Sequence, residues 1–234
     1  MQDKWNLFIK EFIEYGGYLM VLDGLRVTVL IAVCGLLIGI LIGTIIAITK
    51  VVPQYKFVAR FFSRISDIYV GVFRGTPIVV QLLIVYYVLL PAMHVNVSNP
   101  ATVAIIVFGM NSGAYVSEIM RSGINSVDAG QLEAGRSLGL TYTASMFRIV
   151  IPQAVKNILP TLGNEFISLI KETSVVSFIA VVDLTKAFRS IASANYEYVI
   201  PYLMLGAIYL IIVMIITLLI KLIERRFAKS DRRS

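Results

Sequence analysis

The stretch VTVLIAVCGLLIGILIGTIIAIT, residues 27–49, decides the fold class of this chain. It holds twenty-three residues without a charge and lies between Arg26 and Lys50. Because a helix that crosses a bilayer needs about 20 apolar residues, the stretch predicts a transmembrane helix. Residues 199–220 form a second uncharged run. The whole chain of 234 residues is 58% apolar and 15% charged, which places it among membrane proteins.

Three weaker segments complete a predicted bundle of five transmembrane helices. The predicted helices cover residues 27–49, 66–90, 101–117, 161–182 and 199–220. The second becomes a full span only if its helix begins well before the apolar run, and the third is near the lower length limit. The fourth is long enough but carries Glu165, Lys171 and Glu172. We therefore expect an all-α integral membrane protein with a single domain over residues 1–234.

The distribution of basic residues predicts the orientation of this bundle. Of the 21 lysines and arginines, 15 fall after spans one, three and five, and five fall on the other side. By the positive-inside rule, the N-terminal segment 1–26 lies outside, and the loop 118–160 and the tail 221–234 are cytoplasmic. The net charge of +7 thus reflects topology, and no nucleic-acid partner is expected. The N-terminal segment also predicts an amphipathic helix at the outer interface, broken at Gly16-Gly17.

Several classes of site are excluded by composition. One cysteine and one histidine cannot provide a disulfide framework, a Cys/His zinc site or a histidine-based catalytic triad. The phosphate-binding pattern G-x-x-x-x-G-K-[ST] is absent from the sequence. We therefore expect no catalytic site, no metal and no cofactor in this chain.

The loop 118–160 has the pattern of two short helices. Asp128 followed by Gln131 predicts a capping box at the first helix. Gly139 is a natural stop. Thr141 can cap a second helix, which we expect to end before Pro152 because the residue before a proline disfavours helix.

Within this loop, EAGRSLGLTYTASMFRIVIP at residues 133–152 resembles the EAA loop of ABC importer permeases. Glu133-Ala134-Gly135 stands for the E-A-A triplet, Gly139 for the central glycine and residues 149–152 for the I-x-L-P end. Gly135 and Ile151 depart from the family's Ala and Leu. Three further blocks resemble the polar amino-acid branch of that family: FRGTPIVVQLL at 73–83, SGAYVSEIMRSGI at 112–124 and LGNEFISLIKETSVVSFIAV at 162–181.

This resemblance implies a five-span, type I importer permease in a bacterial cytoplasmic (inner) membrane. Such a permease works as half of a twofold dimer, with a second permease copy or a related chain. Its other partners would be a pair of ABC ATPase subunits, an extracytoplasmic amino-acid-binding protein and a polar amino acid as substrate. The resemblance assigns coupling to the ATPase to the loop residues Glu133, Ala134, Gly135, Arg136 and Gly139.

Two polar arcs in the spans exceed what a bundle of apolar helices needs. The first lies on one face of span three, at positions i, i+4 and i+7, and consists of Asn111, Tyr115 and Glu118. The second arc lies on span four, where successive residues are 100° apart and four side chains fall within about 60° of each other: Thr161, Glu165, Ser168 and Glu172. Each charged side chain that faced lipid would cost about 2.5–3.5 kcal/mol. They either fill the bundle interior, with Lys171 paired to an acid, or line a substrate path in which carboxylates receive an ammonium group. The candidate path residues are Asn111, Tyr115, Asn164, Glu165, Ser168 and Glu172.

Two other functions compete with an ATP-driven importer. One is an ion-gradient-coupled secondary transporter or channel subunit, with Lys171 and Glu172 as the coupling pair. The other is a membrane scaffold without transport. Five spans without an internal repeat are few for a secondary transporter, and the structured cytoplasmic loop favours the importer.

Overall fold

A computed structural model describes residues 2–51 and 57–231, with side chains given through Arg225. Every regular element in those ranges is helical, which confirms the predicted all-α class. The α-helices are α1 Gln2–Ile9, α2 Gly17–Val51, α3 Phe57–Gly75, α4 Ile78–Ile84, α5 Leu90–Ala92, α6 Pro100–Asn125, α7 Ala129–Ser137, α8 Tyr142–Ser145, α9 Ile151–Glu172, α10 Leu184–Ala194 and α11 Val199–Asp231. Three π-helical turns, Lys10–Glu14, Val85–Leu89 and Met146–Val150, and a 3₁₀ helix, Thr173–Ile179, connect or extend them.

The predicted count of five spans is not confirmed. Among the described residues, α2, α6 and α11 are each long and apolar enough to cross a membrane. A fourth span results only if α3 and the helical stretch Ile78–Ala92 count as one, and these two are bent by 104°. The predicted second span, residues 66–90, is therefore a broken helix, because Pro77 interrupts it. The α9 helix has sufficient length, with 22 residues, but its charged and amide side chains lower its hydropathy.

The observed helices do not end where the predicted segments do. The helix that contains the first predicted span begins at Gly17, ten residues before Val27, so α2 includes part of the predicted external segment. The second loop helix does not end before Pro152, because α8, a π-helical turn and α9 follow one another without a break. The π-helical turn shifts the hydrogen-bond register just ahead of the proline, which lies in the first turn of α9.

The predicted fourth span, 161–182, is α-helical only as far as Glu172 and continues as the 3₁₀ helix. Lys56, one of the basic residues counted after the first span, and residues 232–234 of the predicted tail lie outside the described residues.

A seam of glycines packs α2 closely against α6. These glycines are Gly35, Gly39 and Gly43 of α2 and Gly109 and Gly113 of α6. A Cβ atom at Gly39 would lie 2.6 Å from Ser112 Oγ, and one at Gly113 would lie 2.7 Å from Ile42 Cγ2. Small residues four apart let two helix backbones approach closely, which drives association of helices in lipid. The two helices are parallel, since successive glycines of α2 meet successive turns of α6.

Two of the three apolar clusters in the described part of the chain join most of the helices. The larger joins α2, α4, α6, α9 and the 3₁₀ helix through residues such as Ile31, Leu82, Phe108 and Leu169. The smaller joins α1, α2, α10 and α11 through Phe8, Val21, Leu184, Phe188, Ile191 and Ile200. Asp183 caps α10 and is fully buried, with its carboxylate accepting from the backbone N–H groups of Thr185 and Lys186 at 3.0 and 2.9 Å. The backbone N–H of Leu184 donates to Thr28 Oγ1 at 3.2 Å, which fixes the start of α10 beside α2.

Candidate functional site

A layer of polar side chains crosses the bundle at the middle of α6. Ser112 is fully buried there and donates a hydrogen bond to Glu165 Oε1 of α9 at 2.9 Å. The same hydroxyl faces Gly39 near the centre of the uncharged run of α2. Glu165, which the sequence assigned to a substrate path, is half-buried, and its contact with Ser112 places it level with the centre of that uncharged run.

The break between α3 and α4 lies in the same layer. Pro77 has φ −64° and ψ 138°, an extended conformation that stops the helix and turns the chain. Gln81 Nε2 donates to the carbonyl oxygens of Phe73 and Thr76 at 2.9 and 3.0 Å. Asn111 Nδ2 donates to Phe73 O at 3.2 Å and to Gln81 Oε1 at 2.9 Å. Two buried carboxamides therefore satisfy the backbone groups that the break exposes.

The line predicted on span three serves more than one purpose. Asn111 is 4% exposed, and its amide donors bond the break between α3 and α4. One turn later, Tyr115 is 37% exposed, and the Arg74 guanidinium lies over its ring at 5.3 Å from the centroid. Glu118 pairs with Lys50 and Arg121, each at 2.8 Å. Of these three side chains, Tyr115 is the most accessible.

The arc on α9 is only partly covered by the rest of the chain. Glu165 and Ser168 are half-buried, whereas Asn164 and Glu172 are exposed. Among the residues that the structure describes, Lys171 makes no ion pair and is exposed. The structural interpretation of the arc, in which Lys171 pairs with an acid inside the bundle, therefore finds no support in the isolated chain.

The cytoplasmic loop has the predicted helix–glycine–helix form. Asp128 Oδ1 accepts from Gly130 N at 2.7 Å and Thr141 Oγ1 accepts from Ala144 N at 3.3 Å, so both predicted caps are confirmed. The reciprocal half of the capping box is not formed, because the Gln131 side chain accepts from Gln153 Nε2 at 3.3 Å instead. Gly139 has φ +83°, a left-handed conformation that ends α7 and that glycine adopts without strain.

The residues assigned to coupling divide into an exposed and a buried group. Glu133, Ala134 and Arg136 are exposed on α7, and Gly135 is buried. A Cβ atom at Gly135 would lie 2.8 Å from both Ser145 Oγ and Ile149 Cδ1. This close contact explains why glycine replaces the second alanine of the E-A-A triplet, and it packs α7 directly against the segment that continues into α9.

The sequence interpretation missed three features of this region. The spacing of the seam glycines, four residues apart in α2 and again in α6, was a visible signal for helix packing. Gln81 is the one polar residue in the otherwise apolar run 78–85. A polar side chain inside a membrane usually has a specific partner, so this residue was a visible signal. No sequence signal joined Lys50 to Asp67, which lie 3.2 Å apart.

A comparison with known protein families agrees with this architecture. Residues 35–229 match the family described as the binding-protein-dependent transport system inner membrane component. The chain belongs to this family. It is therefore a membrane permease, and coupling to an ATPase is the general property of such permeases.

Individual members of the family narrow the class of transporter. The arginine transport system permease protein ArtQ of Bacillus subtilis is 38% identical over 211 residues, which cover 90% of this chain and 94% of ArtQ. The L-cystine transport system permease protein TcyB of the same organism is 35% identical and covers 95% of this chain and 90% of its own length. The chain is accordingly the permease subunit of an amino-acid ABC importer.

Solved structures support the fold. The crystal structure of an amino acid ABC transporter with histidines contains a chain with a TM-score of 0.84 and 39% identity, covering 92% of this chain and 97% of that one. An inward-facing structure of the methionine transporter MetNI gives a TM-score of 0.69 at 15% identity, over 90% of this chain and 95% of that one. The second likeness concerns the fold alone.

Proposed function

We propose that this permease forms half of the translocation path for a polar amino acid, with Glu165 as the acceptor for the substrate's ammonium group. The observation that carries this proposal is the hydrogen bond from Ser112 that places Glu165 in the central polar layer, at the level of α6 from which Asn111 holds the broken helix. Discontinuous helices near the middle of the membrane are a common setting for substrate sites in transporters. Ser112 donates to Oε1 of this carboxylate, and in this proposal Oε2 receives the ammonium group.

The open side of α9 supports a twofold dimer. Asn164 and Glu172 are exposed in the isolated chain, and a charge facing lipid at the centre of a bilayer costs about 2.5–3.5 kcal/mol. A second permease copy or a related chain, placed against this side, would enclose a polar path between the two halves. We propose Tyr115, Asn164, Glu165, Ser168 and Glu172 as its lining. In this proposal, Asn111 contributes by holding the broken helix.

The route of coupling follows from the continuity of α8 and α9. An ATPase subunit that binds the exposed face of α7 would move the Gly135–Ile149 contact. Ile149 lies sixteen residues before Glu165 in one helical rod, a distance of about 24 Å at 1.5 Å per residue. A rigid displacement of α7 would therefore reach the proposed substrate site without passing through a flexible loop.

The remaining parts of the proposal concern partners and orientation. We infer a pair of ATPase subunits on the cytoplasmic side, and an extracytoplasmic binding protein on the other. The N-terminus lies outside and the C-terminus in the cytoplasm, as the positive-inside rule requires. ATP hydrolysis takes place in the partner subunits. Relatives named for arginine and cystine transport support a polar amino acid as substrate.

The test is uptake into proteoliposomes that contain the complex purified with its ATPase. A panel of labelled amino acids, including arginine, glutamine and cystine, is offered together with the binding protein. We expect uptake of at least one of them with ATP on the ATPase side. Uptake driven by an ion gradient without ATP would instead favour a secondary transporter.

A further inference from the structure

The N-terminal helix α1 is fixed to the end of the bundle at which α11 begins. Phe8 of α1 is 5% exposed and lies in one apolar cluster with Phe188 and Ile200. Lys4 Nζ pairs with Glu197 Oε2 at 3.0 Å, and this hydrogen bond lowers the pKa of the Glu197 carboxyl. The α1 helix therefore has a defined position relative to α11.

A second polar contact fixes the π-helical turn that follows α1. Asn195 Nδ2, just before the start of α11, donates to Glu11 Oε1 at 2.9 Å. Gly17 then packs closely, because a Cβ atom there would lie 2.8 Å from Glu11 O and 3.2 Å from Ile191. The segment from α1 to the start of α2 is thus held at both of its ends.

The charges that flank α11 give the depth of this segment. The run from Val199 to Ile220 is uncharged, and Glu197 and Lys221 are the first charged residues on either side. Its twenty-two residues span about 33 Å, close to the roughly 30 Å of a bilayer's hydrocarbon core. Glu197, and with it the Lys4 end of α1, accordingly lies at the edge of the hydrocarbon.

Aromatic side chains are exposed near this end of the bundle. Trp5 is 45% exposed and Tyr15 65%. Tyr198 and Tyr202 of α11 are 40% and 44% exposed, on a helix whose apolar window is not buried inside the chain. Trp5 and these three tyrosines form what we term the outer aromatic face. Tryptophan and tyrosine are enriched where membrane meets water, because their rings are apolar and their N–H and O–H groups remain hydrated.

We propose that the outer aromatic face rests in the lipid of the outer leaflet, at the boundary between head groups and acyl chains, and that α1 is an anchor for this end of the permease. Assignment to the outer leaflet depends on the proposed orientation of the chain. Contact with lipid itself does not. The Trp5–Phe8 and Phe8–Phe12 ring contacts, at 5.8 and 5.2 Å between centroids, connect the exposed Trp5 to the buried core, so the anchor moves with the bundle.

The sequence offers a direct probe, since Trp5 is the only tryptophan in the chain. The complex is reconstituted in phosphatidylcholine vesicles that carry bromine at a shallow or a deep acyl position. Trp5 fluorescence is the difference between the native complex and a Trp5→Phe complex, which removes any tryptophan signal from partner subunits. Aqueous iodide is added as a separate quencher.

We expect a blue-shifted Trp5 emission that shallow bromine quenches roughly twofold more than deep bromine, with little quenching by iodide, as the interfacial preference of tryptophan requires. Strong iodide quenching without bromolipid quenching would overturn the proposal, because this face would then be available to water or to a soluble binding protein. Protection from both quenchers would also overturn it, by showing that a second protein chain covers Trp5. The fluorescence measurement requires no transport, so its outcome is independent of the proteoliposome uptake test.

Discussion

At the scale of single residues, Gln81 and Asn111 show how a broken helix is kept in an apolar environment. A backbone carbonyl without a donor is costly when buried. The Gln81 side chain supplies donors to Phe73 O and Thr76 O, and Asn111 adds a second donor to Phe73 O. The angle between α3 and α4 is therefore defined by side chains, not by the proline alone.

Replacement of Gln81 by leucine tests this role. Gln81→Leu keeps a similar volume but removes the donors, so we expect a loss of about 1–3 kcal/mol of stability. A lowered midpoint of thermal unfolding in detergent would be the readout. Gln131→Leu is the matched control, since Gln131 is exposed and its change should remain within about 0.5 kcal/mol. Equal midpoints for the two variants would contradict the assigned role of Gln81.

At the scale of helices, the glycine seam determines how closely α2 and α6 pack. Gly39→Ala would place a Cβ atom 2.6 Å from Ser112 Oγ, whereas a Cβ atom at Gly206 of α11 has no neighbour within 4 Å. We expect Gly39→Ala to destabilise the protein by about 1–3 kcal/mol through overpacking. Gly206→Ala should stabilise it by about 0.5–1 kcal/mol through helix propensity. Thermal unfolding of the two variants side by side measures the contrast, and stabilisation by both would rule out a close seam.

The end of α7 allows a similar contrast for coupling. Gly139 has φ +83° with open space around it, so a substitution there strains the backbone without a steric clash. Gly139→Trp should weaken ATPase association or uncouple hydrolysis from uptake, at a strain of about 1–3 kcal/mol. Gly139→Asn should retain most activity, because asparagine tolerates this conformation.

The measurement for this loop is co-purification of the ATPase, followed by uptake per ATP hydrolysed. Glu133→Ala supplies the complementary variant, since Glu133 is exposed and its loss should reduce ATPase association without altering thermal stability. Native coupling in the Gly139→Trp protein would argue against a coupling role for the loop.

The presence of the helices was far easier to predict from the sequence than their bends and their contacts with each other. Uncharged runs such as 27–49 determine a span by length and composition, and the caps at Asp128 and Thr141 are local. The 104° break at Pro77 and the continuous rod through Pro152 depend on hydrogen bonds from distant residues or on a shifted helical register. For the same reason, Glu165 could be placed on a polar arc, but its partner Ser112 on another helix could not be identified.

At the scale of the whole molecule, orientation in the membrane determines which partner each face can meet. Ser98 and Ser126 are exposed residues in the predicted external and cytoplasmic loops. In a Cys34→Ala background, Ser98→Cys should react with an impermeant thiol reagent added to intact cells, and Ser126→Cys should react only after the cells are opened. The reverse labelling would invert the orientation and remove α7 from the side of the ATPase.

The central claim is that Glu165 receives the substrate within a path between two permease chains. The most direct measurement is the apparent affinity for ATP-driven uptake by proteoliposomes, compared between the native complex and Glu165→Gln. A charge-assisted hydrogen bond contributes about 1.5–3 kcal/mol, so its loss should weaken apparent affinity roughly ten- to a hundredfold. ATPase association should be unchanged, as a control for folding. If Glu165→Gln assembles normally and transports with native apparent affinity, the carboxylate has a structural role and this account of the path is wrong.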